Sequence, residues 1–163
     1  MKKLSLFLFS IILSLSIFAQ KDIPCADFKT ILDDALGKHH DDKGVKIGTN
    51  EYTGITEYKY HVDFPWAASV AIKEMEFEGG KVKSWGEILA YQINNKDSAI
   101  TYAEHVKQEL KDCFKYGVDK TAEAGTEGRD FSFVFMIHNQ SSWTDIELFV
   151  NHTGEEFHVY IIF

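Results

Sequence analysis

The chain has 163 residues, 25 of them acidic and 17 basic, with a formal charge of −8. Arg129 is its single arginine. Phosphate recognition needs clustered cations and leans on arginine forks, so nucleic acid and anionic membrane surfaces are rejected as partners. Hydrophobic residues make up 45% of the chain, enough for one sizeable core, and the length is too small for two ordinary domains.

The chain opens on Lys2 and Lys3, then an apolar run from Leu4 to Phe18 diluted by Ser5, Ser10, Ser14 and Ser16, then Ala19-Gln20. This is the layout of a secretory signal peptide. A spanning helix needs roughly 20 apolar residues, and the polar Lys21-Asp22 follows at once, so the run reads as a cleaved leader and not an anchor. It resembles bacterial signal peptides that leave an N-terminal Gln. Cys25 lies too far beyond the run to serve as a lipidated residue. Residues 1–19 are therefore expected to be removed and 20–163 to form a single globular α+β domain. Losing Lys2 and Lys3 deepens the charge from −8 to −10. The expected location is secreted or periplasmic, with no stable membrane anchoring.

Residues 24–36 predict a helix. Pro24 suits its first turn, and Phe28, Ile31, Leu32, Ala35 and Leu36 share one face, with Gly37 placed to end it. Residues 37–51 read as a polar connection, with a short strand around Val45–Ile47. Tyr58, Tyr60, Val62 and Phe64 then alternate with Lys59, His61 and Asp63 as in a strand that Pro65 stops. Glu78-Gly79-Gly80-Lys81 is a two-residue hairpin signal. That turn pairs Glu78 with Lys81, Phe77 with Val82 and Glu76 with Lys83, which sets opposite charges across the strands. In that register Val70, Ile72 and Leu89 fall on the charged side, so a bulge near Gly86 or a second covered face is expected.

Residues 97–114 predict a second helix, capped by Asp97, with Ala99, Tyr102, Ala103, Val106, Leu110 and Cys113 on its apolar stripe. A polar loop at 119–128 precedes strands at 131–137, 145–150 and 157–163. The first and last are apolar on both faces, as buried strands are. In the middle one Ile146, Leu148 and Val150 point in and Asp145 and Glu147 out.

Cys25 and Cys113 form an even pair in an oxidising compartment and predict a disulfide. A reactive thiol or metal ligand would need a spacing such as C-x-x-C, which is absent. Cys25 starts the first helix and Cys113 ends the second. The expected architecture is therefore two antiparallel helices packed on one face of a largely antiparallel sheet, in the order α-βββ-α-βββ. The spacing suggests an internal duplication, but the halves share no residue pattern.

Candidate chemistry is sparse. His39-His40-Asp41-Asp42 reads as a solvated loop. His61 and Asp63, two apart on a predicted strand, share a face and are the candidate metal ligands, without an identified third. His138 falls at the opposite end of the sheet from His152 and His158, which leaves only a His152–His158 pair. There is no G-x-S-x-G elbow, no H-E-x-x-H and no phosphate-cradling glycine loop. Glu74, Glu76 and Glu78 read as a solvated strand face. The aromatics Trp66, Trp85, Trp143, Tyr58 and Tyr60 are core by default, and form a binding surface if several are exposed on one sheet face.

The sequence thus reads as a non-enzymatic exported binding or interaction module, inhibitor and immunity types included. Its expected partner is an exported or envelope protein, a peptide or a glycan, with no cofactor. The alternative is a small exported hydrolase or metal-dependent enzyme using His61 and Asp63.

Overall fold

The computed structural model describes residues 22–37, 43–114, 117–121, 129–139 and 142–163. The predicted leader and the His39–Asp42 cluster lie outside the described residues, as does the side chain of His138.

Helix α1 spans Cys25–Gly37. It starts where sequence places it, because Pro24 has no N–H to lose and its carbonyl accepts from Asp27 N at 2.9 Å. Phe28 and Ile31 are fully buried, with Leu32 and Ala35 packed beside them. Helix α2 spans Lys96–Cys113. Its cap is Asn95 and not Asp97. The Asn95 side chain accepts from Ser98 N at 2.9 Å, and Asp97 sits in the first turn, where it complements the helix dipole. Ala99, Tyr102, Ala103, Val106 and Leu110 are buried on one face. Cys25 and Cys113 are disulfide-bonded with Cα atoms 5.5 Å apart, so the helices run antiparallel and in contact. Among the described residues no helix is long and apolar enough to cross a membrane.

Among the described residues eight strands make one antiparallel sheet: β1 Lys43–Thr49, β2 Thr56–Tyr60, β3 Ser69–Phe77, β4 Lys81–Ile93, β5 Gly117–Thr121, β6 Arg129–Asn139, β7 Ser142–Thr153 and β8 Glu156–Ile162. Their spatial order is β1-β2-β3-β4-β8-β7-β6-β5. Each half is a helix followed by a four-strand meander, and the last strands of the two meanders pair at the centre. The α+β plan matches the expectation; β1 extends the short strand expected around Val45–Ile47, and β5 is an added edge strand. Those edges carry weak sequence signals for a physical reason. β1 contains Gly44 and Gly48 and two register irregularities, and β5 occupies part of a polar stretch, as edge strands commonly do.

Both helices lie on one face: α1 packs on β7, and α2 on β4, β8, β7 and β6. The core between the layers joins Phe28 and Ile31 to Ile88, Leu148, Ile161 and Phe133. β8, apolar on both faces in sequence, is indeed a central strand.

The β3–β4 register corrects the sequence reading. Phe77 pairs with Lys81, Glu76 with Val82 and Met75 with Lys83. Gly79 and Gly80 both have positive φ, as anticipated, but the connection holds three residues, Glu78 to Gly80. Shifting the register by one residue swaps the cross-strand partners. Ile72 now faces Gly86 and Ile88 lies opposite Val70, all on the helix side. No bulge interrupts the β3–β4 pairing; the irregularity lies between Leu89 and Tyr91 in the β4–β8 ladder. Gly86 has another role. Its N–H and C=O both bond Phe163, at 2.8 and 3.1 Å, and the Phe163 ring fills the space where a side chain at residue 86 would stand.

Candidate functional site

The face without helices is the part of the fold left to explain. Alternation places Met75 and Phe77 of β3, Lys83, Trp85 and Glu87 of β4, Tyr160 and Ile162 of β8, and Glu147 and Phe149 of β7 on it. Part of this face covers itself. The Phe149 and Tyr160 rings stack 5.2 Å apart, and Arg129 Cζ lies 4.3 Å from the Phe149 ring centroid. Arg129 also pairs with Glu147, which accepts from Ser132 Oγ at 3.2 Å. On the β3–β4 side Lys73 pairs with Glu87. Burial raises the Tyr160 phenol above its ordinary value, and the nearby Glu87 charge adds to this.

The rest of the face opens into a cleft of about 730 Å³, whose lining includes Met75, Phe77, Trp85, Glu87, Glu147 and Ile162. β8 pairs with β4 only as far as Glu87–Ile162, plus the Gly86–Phe163 rung. It pairs with β7 only as far as Glu147–Ile162. β4 runs on to Lys81 and β7 to Ser142. The cleft lies beside Ile162 and Phe163, between β4 and β7. Ser84 and Phe163, whose side chains belong to the helix side, also line it, so it reaches through the level of the sheet. Two apolar residues stay uncovered beside it: Phe77 and Val82 are each 49% exposed. Ser84 Oγ is buried there with no hydrogen-bond partner.

The other residues singled out in sequence do not assemble. Of the five aromatics, Trp85 reaches the cleft. Tyr60 is 1% and Trp66 8% exposed; both are core, and Trp66 Nε1 donates to Asp27 of α1 at 2.8 Å. Tyr58 is half-buried on the helix side under Lys43. Trp143 lies on β7 opposite His138, and its side chain lies outside the described part. An aromatic surface of these residues on one face is therefore not what forms, because in-register alternation sends Tyr58 and Tyr60 to the helix side. His61 and Asp63 lie beyond β2, which ends at Tyr60, so the shared strand face inferred for them does not exist. His61 Nε2 stands 3.9 Å from Asp34 Oδ2, and Asp63 is exposed, 3.9 Å from Lys59 Nζ. His152 and His158 also part company. His152 continues the Leu148–Val150 face and bonds Asp130 at 3.0 Å, whereas His158 points to the other side and contacts Tyr160 OH at 3.2 Å.

Sequence reasoning missed one convergence. His105 Nε2 is 3.1 Å from Asp22 Oδ1 and 3.4 Å from Glu109 Oε1, and Glu109 also accepts from Ile23 N at 3.2 Å. The i, i+4 spacing of His105 and Glu109 on α2 was its only signal. These contacts tie the segment before α1 to α2. Burial raises the Glu109 carboxyl above the usual range, partly offset by the Ile23 N–H and His105. Beneath them Tyr102 is pushed up to about 12, first by burial and then by the Glu109 charge.

Compared with family models, with curated proteins and with solved structures, the chain finds no match in any of the three.

Proposed function

We propose that this protein is a non-enzymatic binding module whose recognition site is the cleft on the helix-free face, and that it acts outside the cytoplasm on an exported or envelope polypeptide. One observation carries the reading: the sheet leaves a cleft of about 730 Å³ at its centre, within the range of ligand sites. Trp85, Phe77 and Met75 line it where a solvated face would be polar. The chemistry of the lining supports binding over turnover. Among the described residues, the lining contains no histidine and no cysteine. Glu87 and Glu147 are each held by a cation, Lys73 and Arg129. The Cys25–Cys113 disulfide supports an oxidising location.

Trp85→Ala tests this. The tagged domain is used to capture partners from its own envelope fraction, and the partner recovered is titrated against both forms. Wild type is expected to retain it, and Trp85→Ala to bind about tenfold more weakly, as a buried aromatic anchor at an interface does. Tyr58→Ala, on the helix side, is the control. Equal affinity of the Trp85 variant and the wild type would contradict the proposal, as would conversion of the bound molecule.

A further inference from the structure

We propose that His105, Glu109 and Asp22 form a binding site for a zinc-class divalent ion, between α2 and the segment that leads into α1. The site is independent of the cleft. Two of its ligands come from one helix face. His105 and Glu109 are four apart on α2, so their side chains stand one above the other. Asp22 comes from a different part of the chain, three residues before Cys25. The Cys25–Cys113 disulfide fastens the start of α1 to the end of α2, and Ile23, 3% exposed, anchors the residue next to Asp22 in the core.

The separations are those of a coordination shell. His105 Nε2 lies 3.1 Å from Asp22 Oδ1 and 3.4 Å from Glu109 Oε1. All three donor atoms lie within 4.8 Å of one another. Ligands held at roughly 2.0–2.1 Å from a tetrahedral zinc are about 3.3 Å apart. The two edges at histidine therefore already have the length that zinc imposes. The third edge closes by rotation of Asp22, whose side chain is 85% exposed.

Charge also favours a cation here. Among the described residues no lysine or arginine pairs with Asp22 or Glu109. Asp130, the other carboxylate close against a histidine, differs in this respect, because Lys96 already holds it. The raised Glu109 carboxyl, owed first to burial and in part to the Asp22 charge, fits two anions brought together without a fixed counter-ion. An entering ion takes the place of the Nε2 proton, which passes to Nδ1 or to solvent. Ile23 N–H donates to both Glu109 oxygens, at 3.2 and 3.3 Å, and so orients that ligand as outer-shell donors do. The donor set selects the ion. Calcium takes about six to eight oxygens and magnesium keeps most of its water, whereas imidazole with carboxylates suits zinc and its neighbours. Three protein ligands leave the fourth tetrahedral position to water.

Zinc chloride alone is the probe, titrated by calorimetry into protein purified without a histidine tag and stripped with a chelator. One ion per chain is expected. Its affinity should fall about 100-fold in His105→Ala and in Glu109→Gln, and about tenfold in Asp22→Asn. Asp22→Asn alters an exposed side chain, so it keeps the test valid if the helix variants fold poorly. His61→Ala is expected to bind as the wild type does. Zinc should also raise the thermal unfolding midpoint of the wild type and leave that of His105→Ala unmoved; a triad that only ties α2 to the segment before α1 would show no zinc dependence at all. Binding weaker than about 1 mM overturns the proposal, as does an affinity that survives in both His105→Ala and Asp22→Asn. Loss of binding in His61→Ala instead places the ion elsewhere and overturns it too. Displacement of zinc by equimolar calcium overturns the assignment to a zinc-class ion.

Discussion

Replacing both Cys25 and Cys113 by alanine is expected to remove about 4–5 kcal/mol of stability, from the entropy regained by an unfolded chain whose cross-link closed a loop of this length. The residues joined are 88 apart in sequence, so the bond restrains most of the domain. It also sits where other contacts converge: Ile23, 3% exposed, and the Glu109–Ile23 bond lie just before Cys25. Single domains hold about 5–15 kcal/mol in total, so the double variant is expected to be close to unfolding at 37 °C. Urea unfolding of both forms measures the difference. A loss below about 1 kcal/mol would show that the unfolded chain is held together by something other than the cross-link.

Gly86→Val is expected to cost about 1–3 kcal/mol, the range for forcing extra atoms into a packed core. A Cβ at residue 86 would lie 2.2 Å from Phe163 Cζ and 2.5 Å from Cε1 and Cε2, so the ring must move. It has little room to do so. Phe163 is 6% exposed, its ring meets Tyr60 edge-on at 5.9 Å, and its backbone is bonded to Gly86 itself. Displacing it also loosens the last rung of β8, at the mouth of the cleft. Repeating the substitution on a Phe163→Ala background isolates the cause. The cost of the valine should then shrink, leaving a coupling energy of about 0.5–3 kcal/mol. An equal cost on both backgrounds would mean that the ring is not what the glycine accommodates.

Much of the architecture was legible because it is written in local periodicity. The stripes Phe28–Ile31 and Ala99–Leu110, the alternation of Ile146, Leu148 and Val150, and the placement of both cysteines at helix ends lead directly to two stapled helices on an antiparallel sheet. The failures have a common origin in non-local pairing. The glycines at 79 and 80 mark the turn, yet its loop length, and hence every partner across β3 and β4, depends on which residues the rest of the sheet buries. The Tyr58–Phe64 alternation outlasts β2, because Phe64 is buried from a loop and not from a strand. That false extension put His61 and Asp63 on a shared face. The cleft could not have been read at all. It is lined by residues of β3, β4, β7 and β8, and which strands become neighbours is not a property of any one segment. Trp85 was singled out only as one of several strand aromatics, core by default; the topology is what places it in the cleft on the helix-free face.

That the cleft on the helix-free face is the recognition site is tested most directly by titrating the captured partner against Trp85→Ala. The variant is expected to bind about tenfold more weakly than the wild type, while Tyr58→Ala, on the helix side, binds as the wild type does. Equal affinity of the Trp85 variant and the wild type would contradict it.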